Sequence, residues 1–332
     1  MSRISHYCRS LLIASGLFFI LNSVASSALA TQAQFPSKPI NLVVPYPPGG
    51  TNDNVARIIS KRLADKAGQP VILIYKGGAG GTIGASYVAS SEPDGYTLLN
   101  ASIGNLAIAP QLIKVKFDPF TDFVPISYSG NAVVTVAINP ALPVHTLADL
   151  IAYARANPGK LTFASSGNGT PGHMSGEMFK LMTGVDIRHL PYRGSAPAVS
   201  DVMAGHADMA FDPLSTVFVK SGKLRALALY GAKDAPTDLQ HIPTMAQAGL
   251  KDFEDGLAGS FLVAAPSHTP PDILFKLRTW MAEVIQEPEV ISALAQVQVI
   301  VQPMTPEQIT QQIRAVHNVA NRVIQTTNLQ QD

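Results

Sequence analysis

Residues 40–55 read Ile40-Asn41-Leu42-Val43-Val44-Pro45-Tyr46-Pro47-Pro48-Gly49-Gly50-Thr51-Asn52-Asp53-Asn54-Val55, and this stretch decides the fold class. A short aliphatic run ends at Pro45, and a polar loop rich in proline and glycine follows. Val55, Ile58, Ile59 and Leu63 then share one helical face, closed by Gly68. Residues 71–74 read as a second strand, 77–84 as a glycine-rich turn, and 96–99 as a third strand after the Pro93-Asp94-Gly95 turn signal. Strand and helix alternating in this order predict an α/β protein with a parallel, doubly wound sheet covered on both faces.

A second unit starts near Ala132. Residues 133–138 read as a long buried strand, and Thr146 caps a helix reaching about residue 156. A strand at 161–164 leads into Ser165-Ser166-Gly167-Asn168-Gly169-Thr170-Pro171-Gly172, and a helix carrying Met174, Met178, Phe179 and Met182 follows. Short strands are expected at 187–190, 209–211 and 224–229. Near 252–262 the chain returns to the first unit and ends in helices at 271–286, 288–296 and 305–326. No Ser- or Gly-rich linker separates the units, so strands should cross between them. The expected division is 31–132 with 256–332 in lobe 1, and 133–255 in lobe 2.

Composition narrows the function. A chain of 332 residues, 46% hydrophobic, has enough length for two cores and excludes disorder. The 24 basic side chains are matched by 23 acidic ones, so no excess charge is available for a nucleic-acid backbone. Residues 1–30 have the form of an export signal: Arg3 and Arg9, an apolar run from Leu11 to Leu21, and Ala28-Leu29-Ala30 for cleavage after Ala30. That run is too short to span a bilayer, which needs about 20 residues. Cys8, the one cysteine, precedes the run, so neither a lipid anchor nor a disulfide is expected in the mature chain. Cleavage leaves 22 basic against 23 acidic residues, an exported and nearly neutral protein.

Signatures of common chemistry are missing: there is no G-x-S-x-G, H-E-x-x-H, C-x-x-C or G-K-[ST]. Gly78-Ala79-Gly80-Gly81-Thr82-Ile83-Gly84 is one residue out of register for a dinucleotide loop and reads as a tight β-α turn. His173 and Glu177 are four apart and could share a metal, but no third ligand is evident, which favours a capping or pocket-lining histidine. Ser166 with His173 would serve an exported hydrolase, though nothing nominates the orienting acid. What remains is a repeated local design, a strand ending in a small polar loop that opens a helix. Such loops present backbone N–H groups and a dipole suited to an anion, and ordinary capping is the plain alternative. Asp53 reads as a cap, since its charge would oppose an anion.

These residues resemble a known family, the solute-binding proteins of tripartite tricarboxylate transporters, or Bug family. The resemblance covers essentially the whole mature chain. It rests on Phe35-Pro36-Ser37-Lys38-Pro39-Ile40, Val44-Pro45-Tyr46-Pro47-Pro48-Gly49-Gly50, Gly78-Ala79-Gly80-Gly81, Pro93-Asp94-Gly95-Tyr96-Thr97-Leu98-Leu99 and Asp118-Pro119-Phe120-Thr121-Asp122-Phe123. The second unit adds Ser165 to Thr170, His173, Pro191-Tyr192-Arg193-Gly194 and Pro197-Ala198. Pro47, Asn54, residues 102–106 and Arg193 depart from the family's usual pattern.

The resemblance implies a two-lobed type II periplasmic-binding-protein fold, with doubly wound mixed sheets and a hinge between lobes. It implies a monomer that binds a di- or tricarboxylate or an aromatic acid, without cofactor or metal, and hands it to an inner-membrane permease. A ligand-sensing subunit for a membrane kinase would use the same pocket. Carried over by motif, the site is Tyr46, Pro48, Gly49, Gly50 and Thr51 in one lobe, with Asn105 from the divergent segment. Ser166, Gly167, Asn168, Thr170, His173, Tyr192 and Asp212 face them from the other lobe. Tyr46 and Tyr192, each after a proline at a strand end, are expected to line the cleft from opposite sides.

Overall fold

The computed structural model describes residues 35–231 and 235–329. The chain divides into a unit of residues 1–37, of which 35–37 are described, and a unit from Lys38 to Asp332 that carries all the described helices and strands. The expected export signal lies outside the described residues.

Strand β1 (Ile40–Val44) buries Ile40, Leu42, Val43 and Val44 completely, as a strand covered on both faces requires. It pairs in parallel with β2 (Val71–Tyr75) and β3 (Thr97–Ser102), with Leu42 opposite Leu73 and Leu98. Helix α1 (Thr51–Ala67) joins β1 to β2, buries Val55, Ala56, Ile59 and Leu63, and stops at Gly68 in the left-handed region. Helix α2 (Thr82–Ala89) begins inside the stretch expected to be turn, because Gly81 at φ 91 lets the chain enter a helix there. A short helix, α3 (Ile103–Ala107), follows β3 directly.

The strand expected at 133–138 is only the second half of β4 (Phe123–Ile138), 16 residues long. Pro125, Ser127, Ser129 and Gly130 break the apolar pattern of its first half, yet Ser127 and Ser129 are buried. That half pairs antiparallel with β9 (Ser260–Pro266), which in turn pairs antiparallel with β3. From Val133 onward β4 pairs with β8 (Arg225–Gly231), and at Ala137 and Ile138 also with β7 (Met209–Ala210). Strands β5 (Thr162–Ser165), β6 (Arg188–Pro191) and β7 run parallel, and β10 (Val299–Ile300) adds to β4 at Asn131 and Ala132. The path β2-β1-β3-β9-β4-β7-β5-β6 is thus mixed, with parallel strands in each half.

Helices α4 (Leu147–Ala156), α5 (Pro171–Thr183), α6 (Ser195–Ala204) and α7 (Pro213–Val217) belong to the β5–β8 half. Helices α8 (Pro271–Val284), α9 (Pro288–Gln296) and α10 (Pro306–Thr327) end the chain, close to the expected spans. Helix α10 starts with a Thr305–Gln308 capping box and buries Ile309, Ile313, Val316, Ala320 and Val323 along one stripe. These side chains share a cluster with Leu99, Tyr128, Leu262 and Met174 of α5, so α10 packs across both halves of the sheet.

Gly130 lies where β4 changes partners. Its φ is +143, and a Cβ there would stand 2.3 Å from the Ile300 carbonyl oxygen. Gly68, also at positive φ, faces open space. Gly130→Ala should therefore lower unfolding free energy by more than about 2 kcal/mol, against about 1 kcal/mol for Gly68→Ala. Urea midpoints of the two variants check the contrast.

Candidate ligand-binding site

Two parallel sets of strands, β1 with β3 and β5 with β6 and β7, send their carboxyl ends to one place, the usual position of ligands in α/β sheets. Tyr46 follows β1, Ser102 ends β3, Ser166 follows β5, Ser195 follows β6 and Asp212 follows β7. All five line one cavity of about 50 Å³, with Pro47, Gly50, Thr51, Asn52, Pro171, Gly172, Pro213, Ala258, Gly259 and Phe261. None of these residues is basic. The loops meet closely across it: a Cβ at Gly104 would stand 2.6 Å from Pro171, and one at Gly80 the same distance from the Asn168 carbonyl.

Besides α7, which starts at Pro213 and is capped by the Asp212 side chain, three helices open on this cavity, since Thr51, Pro171 and Ser195 are the first residues of α1, α5 and α6. No side chain caps any of the three. Their leading N–H groups and dipoles favour an anion at this end of the helices without a cation. Thr51 Oγ1 and Asn52 Oδ1, both buried in the wall, have no hydrogen-bond partner among the described residues. The Asn52 amide donates to the Asn100 carbonyl, and the Asn100 amide donates back to Asn52, which pins the start of α1 to β3.

Asp53 shapes the first loop from behind. Its carboxylate accepts the Gly49 N–H at 2.8 Å, the Tyr75 hydroxyl at 2.7 Å and Arg57 Nε at 3.0 Å. Burial alone would raise its pKa, but these donors together hold it below the ordinary carboxylate value. Tyr46 donates its hydroxyl to the Gly80 carbonyl at 3.0 Å, and burial, with a contribution from Asp212, pushes its phenol well above its usual range. Asp212 caps α7: Oδ1 accepts the Leu214 N–H at 2.9 Å and Oδ2 the Ser195 hydroxyl at 2.8 Å. Burial nonetheless raises the Asp212 pKa against these donors.

Of the residues expected from the sequence, Tyr46, Gly50, Thr51, Ser166 and Asp212 come together on the cavity wall. Pro48 and Gly49 sit exposed at the tip of the loop. Asn105 is fully buried behind Gly81, with neither amide atom partnered. Gly167 and Thr170 hold the second loop in shape, the Thr170 hydroxyl donating to the Gly167 carbonyl at 2.7 Å, while Asn168 presses its carbonyl over Gly80. His173 accepts the Gly169 N–H and stacks on His189 at 4.0 Å. His189, pushed down to about 3 mainly by burial, bonds to Ser165. Glu177 pairs with Lys180, and no metal-binding group of three or more His, Cys, Asp or Glu exists among the described residues. Tyr192 gives its hydroxyl to Asp201 at 2.6 Å and packs on the core of its own half, away from the cavity wall.

Asn52, Ser102, Ser195 and the 258–261 segment were not foreseen. Ser195 carries the same signal as the others, a strand followed by glycine and a small polar residue that opens a helix. Residues 258–261 carry no local signal, because only the return of the chain brings them in. A wider groove of about 940 Å³ along Pro140, His145, Arg225 and His241 lies apart from the strand ends. There the α4 N-terminus is already capped by Thr146 and Asp149, and Arg225 is bound to the Leu142 and Val144 carbonyls.

Because the Asp53 carboxylate is held below its unfolded pKa, its contribution is present above about pH 4 and is lost as pH falls through the folded value. Asp53→Asn should cost about 1–3 kcal/mol near neutrality and show a shallower loss of stability on acidification. Urea unfolding from neutral to acidic pH measures both.

The family model of the tripartite tricarboxylate transporter family receptor matches residues 55–329. BugT of Bordetella pertussis is 37% identical over 289 residues, covering 86% of this chain and 87% of its own. An R. palustris protein solved with adipate superposes with TM-score 0.83 at 34% identity, covering 89% of this chain and 98% of that one. MatC from Rhodopseudomonas palustris, solved with bound malate, gives TM-score 0.81 at 27% identity, over 87% and 100%. With five strand ends meeting at one cavity and matches of this length, the chain belongs to the tripartite tricarboxylate transporter receptor family, whose members are solute-binding receptors.

Proposed function

We propose that this protein is an exported periplasmic receptor that captures a small organic carboxylate between two lobes and delivers it to a tripartite tricarboxylate-type permease. The observation that carries this reading is the convergence of α1, α5 and α6, all uncapped by side chains, on a cavity with no basic wall residue. Such a wall attracts negative charge through peptide dipoles, and it releases the ligand more readily than an arginine clamp would. The adipate and malate of the two similar structures fit this polarity. Receptor rather than hydrolase is favoured by the match to the receptor family and to its curated relatives. Among the described residues no helix is long and apolar enough to cross a membrane.

The lobes divide near residues 132 and 256, and a hinge at these crossings opens the cleft for a ligand larger than the closed cavity. Thr51 is the direct ligand donor in the first loop. Thr170 supports the second loop from within, since its hydroxyl is already used.

Calorimetry with adipate and malate tests the reading. Thr51→Val should weaken binding by about 1–3 kcal/mol, the loss of a hydrogen bond to a charged group. Lys38→Ala should bind as the wild type does, because Lys38 is paired with Asp94 away from the cavity. Absence of binding to every acid in a carboxylate panel would sink the proposal. Solution scattering checks the hinge: the radius of gyration should fall when the bound acid is added, and superimposable curves at saturation would refute closure.

A further inference from the structure

An acidic side chain stands in the wall of a cavity whose helix N-termini favour an anion. Asp212 is 3% exposed, and among the described residues no basic side chain forms an ion pair with it. The titratable groups facing it are two phenols, Tyr46 from the first loop and Tyr230 from β8, both kept neutral by burial, with Asp255 beyond Tyr230. A second carboxylate entering this space meets an uncompensated negative charge in a poorly solvated setting.

The direction of the hydrogen bonds sharpens the conflict. An ionised Asp212 accepts from the Ser195 hydroxyl at 2.8 Å. Ser195 then spends its only hydrogen on Asp212 and turns lone pairs toward the cavity, where they repel a carboxylate oxygen. A proton on Asp212 reverses this arrangement. The Asp212 O–H donates to Ser195 Oγ, its other oxygen still accepts the Leu214 N–H, and the Ser195 hydroxyl hydrogen is free for the ligand.

We infer that capture of a carboxylate places one solvent proton on Asp212, and that this proton turns Ser195 from an acceptor into a donor toward the ligand. The inference rests on the carboxylate reading of the cavity. One O–H bond forms on Asp212, the proton comes from water or buffer, and the serine hydrogen only rotates. Asp212 is then a positioning residue, acting on the ligand through Ser195. The protein takes up an anion and a proton together, so binding buries one negative charge fewer than the anion carries.

Calorimetric titration of adipate and of malate from about pH 6 to about pH 9, in pairs of buffers with different ionisation enthalpies, tests this. Wild-type binding should take up close to one proton per ligand toward alkaline pH and weaken there by about tenfold per pH unit. Asp212→Asn keeps the α7 cap, because its Oδ1 accepts the Leu214 N–H and its amide donates to Ser195. That variant should bind without proton uptake and without the alkaline fall, and its profile subtracts the ligand's own ionisation. Wild-type binding enthalpies that are the same in both buffers across the range overturn the inference, whatever the variant does. An Asp212→Asn profile that keeps the wild-type slope also overturns it. If neither acid binds the wild type at any pH, the carboxylate reading fails and this inference fails with it. Binding without proton uptake removes this inference alone.

Discussion

Strand β4 gives its hydrogen bonds to β9 along residues 123–131 and to β8 and β7 from Val133 onward. One backbone is therefore a member of both halves of the sheet, and neither half can be completed without it. Gly130, at φ +143 and pressed against the Ile300 carbonyl, marks the turnover between partners, and register shifts flank it on both sides. The strand directions that follow from this sharing aim the carboxyl ends of β1, β3, β5, β6 and β7 at a common point. The site is a consequence of that convergence, since Tyr46, Ser102, Ser166, Ser195 and Asp212 in its wall all lie at or just beyond strand ends.

The energetics of the wall follow from the same geometry. A basic side chain would attract an anion strongly, but it would also need a counter-charge whenever the cleft is vacated. Peptide dipoles at helix starts need none, because their partial charges belong to neutral groups. The carboxylate of Asp53, unlike that of Asp212 in the wall, is used behind the loop. There it fixes the Gly49 N–H, and Arg57 and Tyr75 neutralise it.

Much of this could be read from the sequence, for identifiable reasons. The β1–α1–β2 unit was legible because Ile40 to Val44 is unbroken and Val55, Ile58, Ile59 and Leu63 keep one helical period. The first half of β4 was not, because Pro125, Ser127, Ser129 and Gly130 look like loop until strand pairing buries them. Helices α3 and α7 escaped for being five residues each, too short to show a period. At the site, Thr51 and Ser166 were legible as small polar residues between a strand and a helix. Tyr192 follows the same kind of strand end, but the nearby Asp201 claims its hydroxyl, a pairing across a turn of helix that spacing did not advertise. Nothing in the local sequence around Ala258 and Gly259 reports that the returning chain forms a wall.

The surfaces that meet across the cleft are made of Gly49, Gly80, Gly104 and Gly169 on one side or the other, facing Ala196, Pro171 and Ala109. Glycine, alanine and proline have essentially no rotamer freedom to lose, whereas lysine, glutamine or methionine at such positions would each forfeit about 1.5–2 kcal/mol on being immobilised. Bringing these faces together thus freezes almost no side-chain motion. The close approach is held by backbone shape, at little cost in side-chain entropy.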